Sequence, residues 1–328
     1  MRRTSMWLWC SLSLALACGG PSSGSPAGDT TAGGEGDTAA RPSGPPSSFL
    51  GEEVRVVARL DMARVRRSPL ATDLGSAIRG TEAWQRLAGT SGVDPVADFD
   101  FILLGADALY TDRRVAVLRT PHTEAEIRAR VLAMAIDGGA PPAWREVEGF
   151  SVVSWPNRGS VPTSLVLTGA HEMVLAPDDS LPRILAVARD HAARRNAPED
   201  CIEPRMVARS PAEVSTVLVD MPLPARAGYP VPPRRTRVEL DEGASGATVV
   251  AIHAEFSNDP EAEAAHAWAT SQARAFASQP LVRMTGMNRP LETAQFALRG
   301  AALDIGTALT VEEMRRLLGL MALQQMAR

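Results

Sequence analysis

"EVRVVARLDM", residues 53–62, is a short run of Val, Ala and Leu with interspersed arginines, closed by Asp-Met. A second run, "EVSTVLVDM" at residues 213–221, opens with the same Glu-Val and closes with the same Asp-Met about half the chain later. β-Branched and apolar residues over this length, bounded by turn formers, read as strands. Their recurrence predicts a fold of two related halves.

The segments after each run repeat one grammar. In the first half a helical stretch, Ala63 to Ala88, carries Leu70, Leu74, Ile78, Trp84 and Leu87 at mostly helical spacing. Two β runs follow, "FDFILLGADALY" and "RRVAVLRT", then a helix entered through the capping box Thr123-Glu-Ala-Glu, with Ile127, Val131, Leu132 and Ala135 on its buried face. "WREVEGFSVVSWP" and "TSLVLTGAHEMVLAP" supply further strands, and "LPRILAVARDHAARR" a closing helix. The second half has a Pro-rich loop, a hairpin from Arg237 to Phe256 and a helix begun by Asp259 as N-cap and Pro260 in its first turn. Trp268, Gln272, Ala275 and Phe276 form that helix's stripe. A last hairpin precedes a helix with Thr310 and Glu313 as capping box and Leu309 and Met314 as staple. The expected class is α+β, two related halves of antiparallel sheet with helices on one face, and a ferredoxin-like or split βαβ duplication is the plainest version. The halves run over 49–198 and 199–328.

Residues 1–17 have the order of an export signal: Arg2 and Arg3, an apolar stretch from Met6 to Ala17, then small residues at a cleavage point. Ala15, Leu16 and Ala17 before Cys18 resemble a bacterial lipobox, with Ala15 where Leu is commonest. Cys18 is therefore expected to carry lipid and to anchor the chain in a membrane, two or three acyl chains holding firmly where one would not. Ala15 and Ala17 also fit ordinary signal cleavage, which would leave a soluble secreted protein. Residues 18–48, rich in Gly, Ser and Pro, read as a flexible tether. Gly19, where enteric bacteria place Asp to retain lipoproteins in the inner membrane, favours the outer membrane.

Composition narrows the chemistry. With 45 % hydrophobic and 22 % charged residues the chain is ordinary globular material, and its net charge of -4 argues against a general nucleic-acid binder. All 34 basic residues are arginine, which removes Schiff-base, P-loop and Ser-x-x-Lys chemistry. Neither a G-x-S-x-G elbow nor an H-E-x-x-H helix occurs, and no motif for a cofactor or metal stands out. Cys10 leaves with the signal and Cys18 takes lipid, so Cys201 has no intramolecular partner, and no local signature marks it as a nucleophile.

Among polar residues the candidate site is "HAEFSND": His253 and Glu255 on one face of a strand, Asp259 just beyond and His266 on the next helix. Imidazole and carboxylate at alternating positions ligate zinc or share a proton. The plainer reading leaves His253 and Glu255 as a solvated pair opposite the core-facing Val250, Ile252, Ala254 and Phe256. His171, at a hairpin turn, and His191, on a charged helix end, are read the same way. Three arginine clusters (Arg64, Arg66 and Arg67; Arg189, Arg194 and Arg195; Arg234, Arg235 and Arg237) suit an anionic envelope component, or a solvated surface. Trp144 and Trp155 flank a hairpin and line a groove or pack in the core.

"VVARLDMARVRRSPLATDL", "GVDPVADFDFILLGA", "VAVLRT", "GFSVVSW" and "EMVLAP" resemble a group of uncharacterised exported proteins and lipoproteins of myxobacteria and their relatives. The resemblance implies the duplicated architecture and no activity. The expectation is a tethered envelope lipoprotein with a non-catalytic binding or structural domain that meets another envelope protein or an anionic envelope component. Two alternatives stand beside it: an exported hydrolase or metal-dependent enzyme using His253 and Glu255, and a carrier of an apolar ligand between the halves.

Overall fold

The computed structural model describes residues 46–79, 93–108, 111, 113–134, 143–155, 162–193, 213–223 and 230–326. The expected signal, Cys18, nearly all of the tether, Cys201, Arg194 and Arg195 lie outside them, as does the side chain of Trp155.

Twelve strands form one sheet: β1 (Val56–Asp61), β2 (Phe101–Ala106), β3 (Arg114–Arg119), β4 (Arg145–Val147), β5 (Phe150–Trp155), β6 (Thr163–Gly169), β7 (Glu172–Pro177), β8 (Glu213–Val219), β9 (Arg235–Glu242), β10 (Thr248–Glu255), β11 (Gln295–Arg299) and β12 (Ala302–Leu309). Their order is β11-β12-β10-β9-β8-β1-β2-β3-β7-β6-β5-β4. Every neighbouring pair is antiparallel. The α+β class and antiparallel halves are as expected. The arrangement within each half is instead a meander, β1-β2-β3 and β8-β9-β10, because consecutive strands pair as antiparallel neighbours even where helices or a loop lie between them, and a split βαβ unit would need parallel pairs. The repeated strands meet at the middle: β1 pairs β8 with Ala58 opposite Val217 and Leu60 opposite Ser215.

Eight helices complete the described chain: α1 (Met62–Arg67), α2 (Ala71–Arg79), α3 (Glu124–Met134), α4 (Leu181–Ala193), α5 (Asp259–Ala277), α6 (Pro280–Met284), α7 (Asn288–Glu292) and α8 (Val311–Met326). The helical stretch after β1 breaks into α1 and α2 at Ser68, whose backbone turns extended before Pro69, as the proline ring requires. α5 begins one residue earlier than expected: Asn258, not Asp259, is the N-cap, its side chain accepting from the Glu261 amide at 3.0 Å. The other two capping boxes form as read, with Thr123 paired to Glu126 and Thr310 to Glu313.

Strand alternation divides the sheet into an inner and an outer face. On the inner face Met62, Val65, Leu70 and Leu74 of α1 to α2, Ile127 and Val131 of α3, and Met314, Leu317 and Leu318 of α8 pack with sheet residues of both halves in one core. α5 extends this layer over Ala254 and Leu303 through Ala262 and Ala265. One helix departs from the expected single face: α4 lies on the outer face, where Ile184, Leu185 and Ala188 cover Val117, Val152, Val166 and Val174. Pro46–Phe49 joins it as a single 3₁₀ turn with Phe49 fully buried, so the folded domain reaches back into the end of the expected tether. Leu50 follows across Gly105, where a Cβ would lie 2.5 Å from a Leu50 methyl.

Candidate functional site

No helix of the described chain covers the outer face beyond β8, and the candidate residues gather there. One row of directly paired residues crosses the sheet from Val57 through Leu218, Arg237 and His253 to Asp304 and Ala297. It begins apolar in the first half and turns charged in the second. The next row brings Arg235 opposite Glu255.

These side chains form a polar ladder in which carboxylates alternate with arginines and one imidazole. Asp220 accepts from Arg235 Nε at 2.9 Å, Arg235 reaches Glu255 at 3.2 Å, and Glu255 lies 3.5 Å from His253 Nε2. His253 Nδ1 is 2.6 Å from Asp304 Oδ1, and Asp304 Oδ2 lies 3.0 Å from Arg299 Nε. Arg237, nearly buried beside His253, pairs with Glu239 on its own strand. The hydrogen bond that Arg235 donates to Asp220 comes first among the effects that raise the Arg235 pKa further above its usual range. His253 and Glu255 thus meet as the sequence suggests, joined by Asp304, which no spacing argument could place because it comes from a strand 51 residues away.

Chemically, Asp304 orients His253 as a carboxylate orients a general base. A nucleophile is needed for such a base to activate, and no Ser, Thr or Cys hydrogen-bonds His253 among the described residues. Nor does any group of three His, Cys, Asp or Glu side chains suit a metal ion among them. His266 and Asp259 are not brought to the site. His266 sits on α5, over the inner face, with its ring edge-on to Phe296 at 6.3 Å.

The remaining candidates are placed elsewhere. His171 Nδ1 lies 3.1 Å from the His122 carbonyl, and His191 lies 2.6 Å from Ser48 Oγ with its ring against Phe49, fixing the 3₁₀ turn to α4. Arg64 meets Asp61 and Glu242; Arg66 pairs with Asp100 and donates to the Val96 and Phe99 carbonyls; Arg189 meets Glu148. Among the described residues of the three arginine clusters, Arg64, Arg66, Arg189, Arg235 and Arg237 meet carboxylates, while Arg67 and Arg234 are exposed. Trp144 is half-buried, with the Arg128 guanidinium 5.2 Å from its ring centre. Sequence reading missed a buried brace: the Asp98 carboxylate accepts from the Asp94 amide at 2.7 Å and meets His122 at 2.9 Å and Arg130 at 2.7 Å. The acid-rich "DPVADFD" was its one trace.

At the meeting of the halves β1 pairs with β8 through the backbone, and residues of both halves belong to one inner core.

No protein-family model and no curated protein matches the sequence. Among solved structures the chain is similar to the treponemal protein TP0453. Its crystal form I gives a TM-score of 0.49 at 11 % identity, covering 85 % of this chain and 97 % of that one. Crystal form III gives 0.48 at 11 % identity, covering 85 % and 98 %.

Proposed function

We propose that this protein is an exported cell-envelope lipoprotein, held by acyl chains on Cys18, whose α+β domain acts by binding or as a structural element. The observation that carries the reading is the order Arg2-Arg3, apolar run, Ala15-Leu16-Ala17-Cys18, followed by some thirty residues too poor in apolar side chains to build a core. The use of His253 and Glu255 in a polar ladder supports a binding or structural role over a hydrolytic one, since each already has its partner and no hydroxyl hydrogen-bonds His253 among the described residues. The outer membrane and a kinship with the exported myxobacterial group belong to the same proposal. Intact-mass measurement of the protein extracted from its native envelope tests it. A mature chain starting at Cys18 and heavier by two or three acyl chains, with acylation absent in Cys18→Ser, is the expected result. An unmodified chain starting there would make the protein a soluble secreted one.

A further inference from the structure

Two large apolar side chains stand out into solvent three positions apart on α6: Leu281 is 68 % exposed and Met284 85 %. Val249 and Leu298, at 37 % and 40 %, come next among the described residues. A spacing of three places Leu281 and Met284 on one side of the turn.

The turn is held from behind. Val282 packs against the inner core and Met287 is buried in it. Thr285 Oγ1 donates to the Val282 carbonyl at 3.0 Å, and Arg316 of α8 donates to the Thr285 carbonyl at 2.9 Å. Gly286 closes the turn at φ 71°, and a Cβ there would lie 2.5 Å from the same Arg316 side chain. Leu281 and Met284 are presented outward by this packing.

Along the chain their segment is cationic within an acidic protein. From Glu263 to Glu292 no acidic residue intervenes, while Arg274, Arg283 and Arg289 do. Arg289 is bound to Glu313. Arg274 and Arg283 are exposed and make no ion pair among the described residues.

We propose that Leu281 and Met284, with Arg283 between them in sequence and Arg274 in the last turn of the preceding helix, dock the domain on an anionic lipid surface. The apolar pair enters the boundary between headgroups and acyl chains, and the guanidiniums meet headgroup phosphates. This deepens the lipoprotein reading and rests on it for a membrane close by. Alone such a contact is weak, and an acyl anchor on the same chain raises its effective concentration. The reach suffices: residues 19–45 extend to at most about 95 Å at roughly 3.5 Å per residue, and twelve strands about 4.8 Å apart span roughly 53 Å.

The test uses residues 18–328 with Cys18→Ser, which keeps every described residue and removes the acylation site. Flotation with vesicles of phosphatidylglycerol and phosphatidylethanolamine is compared with phosphatidylcholine vesicles. Binding to the anionic vesicles is expected, weakening between about 0.05 and 0.5 M salt. Leu281→Ser with Met284→Ser should lower the apparent affinity at least tenfold, and Arg283→Glu should lower it on anionic vesicles, with thermal unfolding unchanged in both. No binding, or binding indifferent to these variants, overturns the proposal. So does a dimer in lipid-free solution that Leu281→Ser dissociates, which would give this face to a second copy. The anchor is read separately by mass: an unacylated Cys18 with tip-dependent vesicle binding defeats the lipoprotein reading and keeps the docking surface, and an acylated Cys18 with tip-independent binding does the reverse.

Discussion

Asp61 and Asp220 end the two repeated strands, and they part at the next residues. Asp61 is followed by Met-Ala-Arg and caps α1, accepting from the Arg64 amide at 2.9 Å. Asp220 is followed by Met-Pro-Leu-Pro, which cannot continue as a helix, and its carboxylate takes Arg235 instead. The same divergence holds across the outer face. Over the first half α4 and Phe49 share a core with the row Leu103, Val117 and Val174; over the second half the equivalent row is Arg237, His253 and Asp304, and the closing helix α8 lies on the inner face. One strand plan therefore carries two surfaces. Which residues stand at alternate strand positions decides whether a helix or water, or a partner, meets the sheet.

The largest effects should come from the covered half. Ile184 of α4, fully buried against the outer face of the sheet, is expected to cost about 3 kcal/mol when changed to Ala. Because Ala58 and Val217 share one inner core across the β1–β8 pair, denaturant unfolding should remain a single transition with its midpoint lowered. Two separated transitions would break the comparison by showing that the halves fold as independent units.

A middling effect should come from α8, the helix whose position differs from α4. Glu313, almost buried, accepts from Arg289 at 2.6 Å, from the Thr310 amide at 2.8 Å and from the Thr310 hydroxyl at 3.0 Å. The Arg289 hydrogen bond, aided by those from Thr310, holds its carboxyl below the ordinary carboxylate range. Glu313→Gln is expected to cost about 1.5 kcal/mol at neutral pH. The sign follows from the depressed value: the contribution is fully present above the unfolded carboxyl pKa of about 4.3 and is lost as pH falls through the lower folded one. Wild type and variant should differ by a constant amount from about pH 5.5 to 8 and converge in acid. A difference that persists in acid would assign the loss to packing.

Much of this was legible in the residues, and the rest was hidden for identifiable reasons. Strand runs, the Thr123 and Thr310 capping boxes and the Leu309–Met314 staple are local signals, so they were readable. Strand order is not local: the meander and the β1–β8 join depend on which edges meet, and Asp304 reached His253 only through that order. The burial of Phe49 escaped notice because its partners on α4 lie far along the chain. α6 and α7 were missed because five-residue helices carry too little periodicity to see. His266 was drawn toward His253 by proximity in sequence, although strand and helix present them on opposite sides of the sheet.

The smallest effect is expected on the uncovered face. His253 is 36 % exposed at its side chain and sits between Glu255 and Asp304, so its pairings are screened by water and salt. His253→Asn should change stability by about 0.5 kcal/mol or less near neutral pH, and by still less in about 1 M salt. The contrast with Ile184→Ala then measures how differently the two halves use the same strand positions. A loss above about 2 kcal/mol would mean that the outer face of the second half is not solvated at all, since exposed ion pairs do not reach that size. If the loss is large only in protein taken from its native envelope and small in the isolated chain, a bound partner would be covering the ladder, and the second half would be closed by another molecule where the first is closed by its own α4.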